Sequence, residues 1–297
     1  MSTAQLLRDD VTAFNAWVAG LPAGERPNLR RADLSGLDLS SATLGGADLS
    51  GASLAGAQVK GSQLARCRIQ GADLQGATIA GVFAANVEQL QLLWQGADAW
   101  NAWRAAGHRP GILGGVDLSG APLRGCDLSG VSFPAARLDG ADLKECQLDD
   151  TGLVGASLRG ADLTGVEATG TKLNQADLSR ALLHGSRWTG AKLDRAHAEA
   201  ANWMGATLDR CEARRLRAPG AVFVLATLKR CWLDGAALVG ADFSRSDLDS
   251  ALFVEADLRD ACFAGATLAG CSFVGAQVGG ADFTGAEGAN LKGSVGG

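Results

Sequence analysis

Large apolar residues recur at every fifth position from Leu29 onward: Leu34, Leu39, Leu44, Leu49, Leu54, Val59, Leu64, Ile69, Leu74 and Ile79. The same spacing runs from Leu113 to Phe283, where 31 of the 35 positions hold Leu, Phe, Val or Trp. Two residues before nearly all of these stands a small residue; between Gly111 and Ala286 only Leu216 at such a position is larger than Val. This is a two-position inward code, one large side chain and one small, with three outward residues that turn the chain. A helix has a period of 3.6 and a strand a period of 2, so neither accommodates it. A chain that bends at every fifth residue buries nothing alone, so its coils must stack as a solenoid.

A second period of twenty gives the number of sides. Trp203, Phe223, Phe243, Phe263 and Phe283 fall on one face, and Phe253 and Phe273 fall on the opposite one. Trp188 lies opposite the small Ala198 within one coil, as dense filling of a narrow core demands. Four five-residue sides per coil therefore predict stacked columns, and at ~4.8 Å per coil the longer tract predicts a rod of roughly 40 Å.

The segments "GADLSGASL", "GADLKECQL", "GADFSRSDL" and "GADFTGA" resemble the pentapeptide repeat family, whose consensus reads A-(D/N)-L-x-x, over about 28–81 and 111–286. The resemblance implies a mainly β fold, a right-handed four-sided parallel β-helix with four repeats per coil, here with short α-helical caps. It also implies three function classes. One is a non-catalytic protein-interaction scaffold or adaptor. Another is a DNA mimic that binds and protects type II topoisomerase (DNA gyrase), as quinolone-resistance members do. The third is a type VI secretion accessory role, since the Phe-rich later repeats look like those attached to such proteins. The DNA-mimic reading wants continuous acidic faces and a C-terminal dimerising helix. This chain departs from both: Lys172 to Arg230 carries a net +6, Cys231 to Gly288 a net −7, and no apolar helix follows Phe283.

The stretch "VEQLQLLWQGADAWNAWRAAGHRP" (Val87–Pro110) breaks the repeat and resets its phase. Leu90, Leu93, Trp94, Ala97, Trp100 and Arg104 fall near one helical face; Asn86 with Gln89 resembles a capping box, and Gly107 and Pro110 stop the helix. Gly96 is placed to divide it in two. The segment Asn15–Gly36 echoes Asn101–Gly120, and Leu7, Val11, Phe14 and Val18 form a stripe ahead of it. Each helical stretch is therefore expected to cap the open end of a solenoid. The expected organisation is a cap at 1–27, a short solenoid at 28–82, a second cap at 83–110, a long solenoid at 111–288 and a tail at 289–297. With no helix after Phe283, the last coil should expose Phe273 and Phe283 for homodimerisation or partner docking.

Composition changes the picture little. The chain has 297 residues, 41 Gly, no Tyr, 3 His and a net charge of −5, which gives no bulk attraction to nucleic acid or anionic membrane. No basic, apolar and small-residue succession marks a signal peptide, and no apolar run is long enough to span a membrane, so a cytoplasmic location is the expectation. Of the seven Cys, all but Cys262 occupy the small inward position, where a reduced thiol serves as a slightly enlarged Ala. No Ser/His/Asp, Cys/His or metal-ligand constellation occurs, and the many Asp precede the large residue in a turn role, so neither an enzyme nor a cofactor is expected. The outward chemistry is more informative. Arg210 and Arg230 stack on one corner near Arg214, Arg215 and the outward Trp232, the best candidate for a partner-binding patch. One Trp offers no stacking platform for nucleic acid. "RRLRAPGAVF" (Arg214–Phe223) departs from the inward code at Ala213, Leu216, Ala218 and Pro219 and predicts a local bulge.

Overall fold

From 115 to 285 each five-residue side ends in a residue of positive φ, which turns the corner. Glycine supplies many of these, but Arg210 (57°) and Arg230 (55°) adopt the same conformation. A side chain in the left-handed region costs about 1 kcal/mol. Hydrogen bonds on both sides of the corner offset it: Arg210 N–H donates to the Lys229 carbonyl (2.8 Å), and Cys211 N–H closes the turn onto Leu208 (3.2 Å).

The protein is described by a computed structural model, which covers residues 2–60, 64, 67–80 and 84–296. The sides stack in parallel register with a step of twenty. Asn28 pairs with Asp48 and Asp33 with Ser53 in the first tract, and Ile112 with Ser132 through Thr267 with Glu287 in the second. In the first tract the pairing widens into two short parallel strands, β1 (Gln58–Lys60) and β2 (Thr78–Ala80). Elsewhere each side contributes one bridging residue, so the structure is a stack of short ladders joined by turns. The large inward residues are buried, Leu128, Leu163 and Phe243 among them. Each such burial is worth about 2 kcal/mol.

The aromatic columns form as the period of twenty requires. Phe223, Phe243 and Phe263 stack nearly parallel at 4.8 and 5.0 Å, Phe283 continues the column at 5.0 Å, and Phe253 lies on Phe273 at 5.2 Å. The two columns meet edge to face, as Phe253 does with Phe263 at 5.9 Å and 88°. Quadrupoles favour both geometries. The cysteine ladder is equally regular. Cys146, Cys211, Cys231 and Cys271 donate to the carbonyls of Leu123, Trp188, Leu208 and Leu248, each 23 residues earlier, and Thr151 and Thr171 use the same acceptor position. None of the seven cysteines forms a disulfide.

The predicted bulge is absent. Bridges Glu212–Trp232 and Arg217–Ala237 continue the ladder through it, and Ala213, Leu216 and Ala218 are all buried. Leu216 occupies the small position while Ala218 occupies the large one of the same side. Interior volume is thus conserved across the side although the code is inverted.

Among the described residues, four helices lie ahead of the two tracts: α1 (Thr3–Asp9), α2 (Val11–Ala19), α3 (Ala84–Gln95) and α4 (Ala97–Ala105). The single N-terminal stripe is split at Asp10, whose carboxylate caps α2 by accepting Ala13 N–H (2.9 Å). Gly96, at φ 95°, separates α3 from α4. Asn86 falls within α3, and its side chain, with the expected capping box, lies outside the described residues. Gln89 accepts the Gly111 N–H (3.0 Å), tying α3 to the start of the second tract.

Each cap uses one device. Asn15 accepts Thr43 N–H (2.7 Å) and donates to the Ser41 carbonyl (2.9 Å); Asn101 accepts Asp127 N–H (2.8 Å) and donates to Gly125 (2.9 Å). A side-chain amide thereby stands in for the missing preceding coil and satisfies backbone groups that would otherwise be orphaned. The residues before them, Phe14 and Trp100, are fully buried, and Trp100 Nε1 donates to the Asp127 carbonyl (2.7 Å). Helix α3 faces the far end of the first tract, where Gln91, Trp94 and Gln95 share a crevice with Ile69, Gly71 and Ala72. The N-terminal cap also touches the second tract, since Arg26 binds the buried Asp117.

Beyond Ala286 the chain extends the ladder further than expected. Val295 pairs with Gln277, Gly275 N–H reaches the Gly293 carbonyl (2.8 Å), and Leu291 packs against the core.

Candidate functional site

Trp232 stands at the middle of one flat side. Its ladder neighbours are Lys192, Glu212, Leu252 and Ser272, each one coil apart. The ring is 40% exposed, because its position points outward and the inward positions on either side, Cys231 and Leu233, fill the core. Arg214 lies over it, with the guanidinium carbon 4.1 Å from the ring centroid. Arg214 is itself anchored. Its N–H donates to Asp194 (2.9 Å), and its guanidinium reaches Asp194 (3.4 Å) and Glu212 (3.5 Å). Arg214 is thus held against the indole, an arrangement in which cation–π attraction adds to packing.

The two corners beside this side carry the remaining predicted arginines. Arg210 and Arg230 stack on one, where they line a crevice with Asp209, Lys229 and Asp249. Arg215 occupies the other, with Arg195 one coil before it. Among the described residues, Arg195, Arg210, Arg215 and Arg230 take part in no ion pair, whereas Lys192 meets Glu212 (3.8 Å) and Lys229 meets Asp247 (2.7 Å). The side-chain bond and charge of Asp247 raise the Lys229 ammonium above its ordinary value. Sequence reasoning brought Arg210, Arg214, Arg215, Arg230 and Trp232 together and overlooked Arg195, whose twenty-residue offset from Arg215 was the available signal.

The predicted C-terminal docking residues separate. Phe273 is sealed at 1% exposure, because Phe253, Phe263 and Phe283 surround it and the tail adds a partial coil beyond; only Phe283 is half-buried. A second exposed apolar patch lies on the side opposite Trp232, where Leu182 (39%), Met204 (43%) and Leu225 (57%) follow one another over successive coils. Its signal was apolar residues at outward positions of the code.

A crevice of about 660 Å³ beside α4 is lined by Arg104, His108, Arg109 and Asp127. Its polar groups already serve the cap: Arg104 bonds Asp127 (3.1 Å) and the Ser129 carbonyl (3.1 Å), and His108 stacks on Trp103 at 5.1 Å. Among the described residues no group of three His, Cys, Asp or Glu could hold a metal ion. Among them, too, no helix is long and apolar enough to cross a membrane.

A stack of four-sided coils, each side five residues long, defines a pentapeptide-type parallel β-helix. The chain belongs to the pentapeptide repeat family: the Pentapeptide repeats family matches in eight copies, over residues 44–81, 112–150, 141–180, 221–260 and 251–293, more than half of the chain. No curated protein matches it. Among solved structures it is similar to QnrB1, a plasmid-mediated fluoroquinolone resistance protein (21% identity, 53% of this chain and 86% of that one, TM-score 0.48). HetL, involved in heterocyst differentiation regulation in the cyanobacterium Nostoc sp., shares 24% identity over 99% of this chain and 97% of its own, with a TM-score of 0.34. A pentapeptide repeat protein of the Arabidopsis thaliana thylakoid lumen shares 28% over 37% of this chain and 63% of its own, with a TM-score of 0.25.

Proposed function

We propose that the protein is a non-catalytic protein-interaction scaffold and that the Trp232 side is a contact face. The observation that carries this reading is the exposed Trp232 ring, braced by Arg214 at 4.1 Å and framed by four arginines without carboxylate partners. Trp and Arg are the side chains that dominate interface energies once desolvated, and a preordered ring loses little entropy on binding. A solid core leaves the outward residues free to vary, so a flat side is the natural place for recognition.

Affinity capture from the native cell with the full chain and with Trp232→Ala tests the reading. A partner retained by the first and lost by the second supports it; equal capture by both assigns the contact elsewhere. The topoisomerase reading has less support, since basic Arg195, Arg210, Arg215 and Arg230 interrupt the acidic surface a DNA mimic needs. A gyrase supercoiling assay discards it if the protein has no effect.

A further inference from the structure

The Trp232 side is not uniform along the rod. Toward the N-terminus its corners are cationic, with Arg210 and Arg230 on one edge and Arg195, Arg214 and Arg215 on the other. Toward the C-terminus the same edges carry Asp249 on one and Val254, Glu255 and Val274 on the other, and the ladder residue is Leu252. The charge bands follow the same division, +6 over 172–230 and −7 over 231–288. Along the Arg230 edge such a surface is complementary to itself when reversed.

We propose that the occupant of this side is a second copy of the chain, laid antiparallel and face to face. The proposal rests on the reading of the side as a contact face and names its partner. A two-fold axis across the rod keeps each edge on its own side while exchanging the coils above and below it. With that axis between the Trp232 and Leu252 rungs, Trp232 meets Leu252 of the second copy, and Arg230 meets its Asp249. By symmetry both contacts form twice. One rung further out, Arg214 and Arg215 come over Val274 and Gly275 of the second copy. Val274 is 55% exposed, and the glycine leaves room for an arginine stem. Arg230, without a partner in one chain, thus gains the Asp249 carboxylate of the second copy, and Trp232, Leu252 and Val274 lose their solvent together. The overlap spans about six coils, or roughly 29 Å at ~4.8 Å per coil. That is a modest interface, so the association belongs in the micromolar range and is salt-sensitive.

Sedimentation and light scattering of the full chain across concentration test this. The expected result is a mass approaching two chains at low salt that falls toward one in ~1 M salt, where the screening length is about 3 Å. Arg230→Glu and Asp249→Arg should each weaken pairing about tenfold or more, whereas the double reversal R230E/D249R should restore it, because each contact is then reversed in sign. The fold tolerates the first change, since Glu145 and Glu255 already occupy the same corner conformation at φ 58°. A monomer at every concentration overturns the proposal. So does a dimer indifferent to both single reversals, or one lost only on deletion beyond Ala286. If the chain is monomeric yet Trp232→Ala abolishes capture of a cellular partner, the contact face stands and the self-pairing falls.

Discussion

Asn101 bonds the first coil of the long tract as Asn15 bonds that of the short one: each amide accepts an N–H and donates to the carbonyl two residues before it. The chain therefore begins its solenoid twice with the same tool. Asn101→Ala should leave the Asp127 N–H and Gly125 carbonyl without partners at a partly buried edge and cost about 1–3 kcal/mol in urea unfolding. Asn101→Asp keeps the acceptor but sets a carboxylate against the Gly125 carbonyl, so it should not rescue. Hydrogen exchange at Asp127 N–H should rise in both variants.

Two buried tryptophans make a contrast. Trp188 Nε1 donates to Ser186 (2.7 Å), whereas Trp203 Nε1 is buried without a partner. An orphan donor in a low-dielectric core is costly, and removing it recovers part of the lost volume energy. Trp203→Phe should therefore be near neutral and keep the stack on Phe223, now at 6.0 Å. Trp188→Phe should cost about 1–2 kcal/mol more, because it removes the hydrogen bond that the Ser186 hydroxyl accepts while donating to the Leu183 carbonyl. Denaturant titration of the two variants decides it.

Burial pushes the Cys126 thiol up to about 12 and that of Cys271 to about 11. The half-exposed Cys262 stands apart. A thiol-specific reagent should therefore titrate one fast thiol in the native protein and all seven after unfolding. The folded values lie above the unfolded one, so this contribution to stability is complete below about pH 8.5 and declines as pH rises toward the folded values. Midpoints of thermal unfolding should fall across that alkaline window.

Asp117 predicts the opposite limb. Burial raises its carboxyl, but bonds from Ser119 and the Arg26 guanidinium outweigh this and hold it below the ordinary carboxylate range. A depressed folded value makes the contribution full above about pH 3.9 and lost as pH falls through the folded one. Arg26→Ala should strip the main cation from a side chain only 2% exposed, destabilise the protein by about 1–3 kcal/mol at neutral pH and shrink the acid-side loss. Unfolding monitored from pH 7 downward measures both.

Much of this was legible before any coordinates. The stacked phenylalanines, the inward thiols and the juxtaposition of Arg210, Arg230 and Trp232 follow from periods of five and twenty, because each residue's nearest neighbours are its own counterparts one coil away. The inverted side at Leu216 and Ala218 was misread because the code treats positions separately, while packing responds to the volume of a whole side. Phe273 was expected at an exposed end because Leu291 in "ANLKG" (Ala289–Gly293) falls outside the five-residue phase, which conceals that Leu291, Gly293 and Val295 can still close a shorter coil.

The sequence by itself determined the coil, its four sides and which side chains face inward, since a repeat specifies the environment of every position that has a copy above and below. Only the tertiary structure decided what happens where copies are missing. The amide clamps of Asn15 and Asn101, the clasp of Arg26 on Asp117 and the bracing of Trp232 by Arg214 depend on how helices and coils meet. There the free backbone groups and charges take whichever partners docking brings within hydrogen-bond reach, and periodicity carries no information about them.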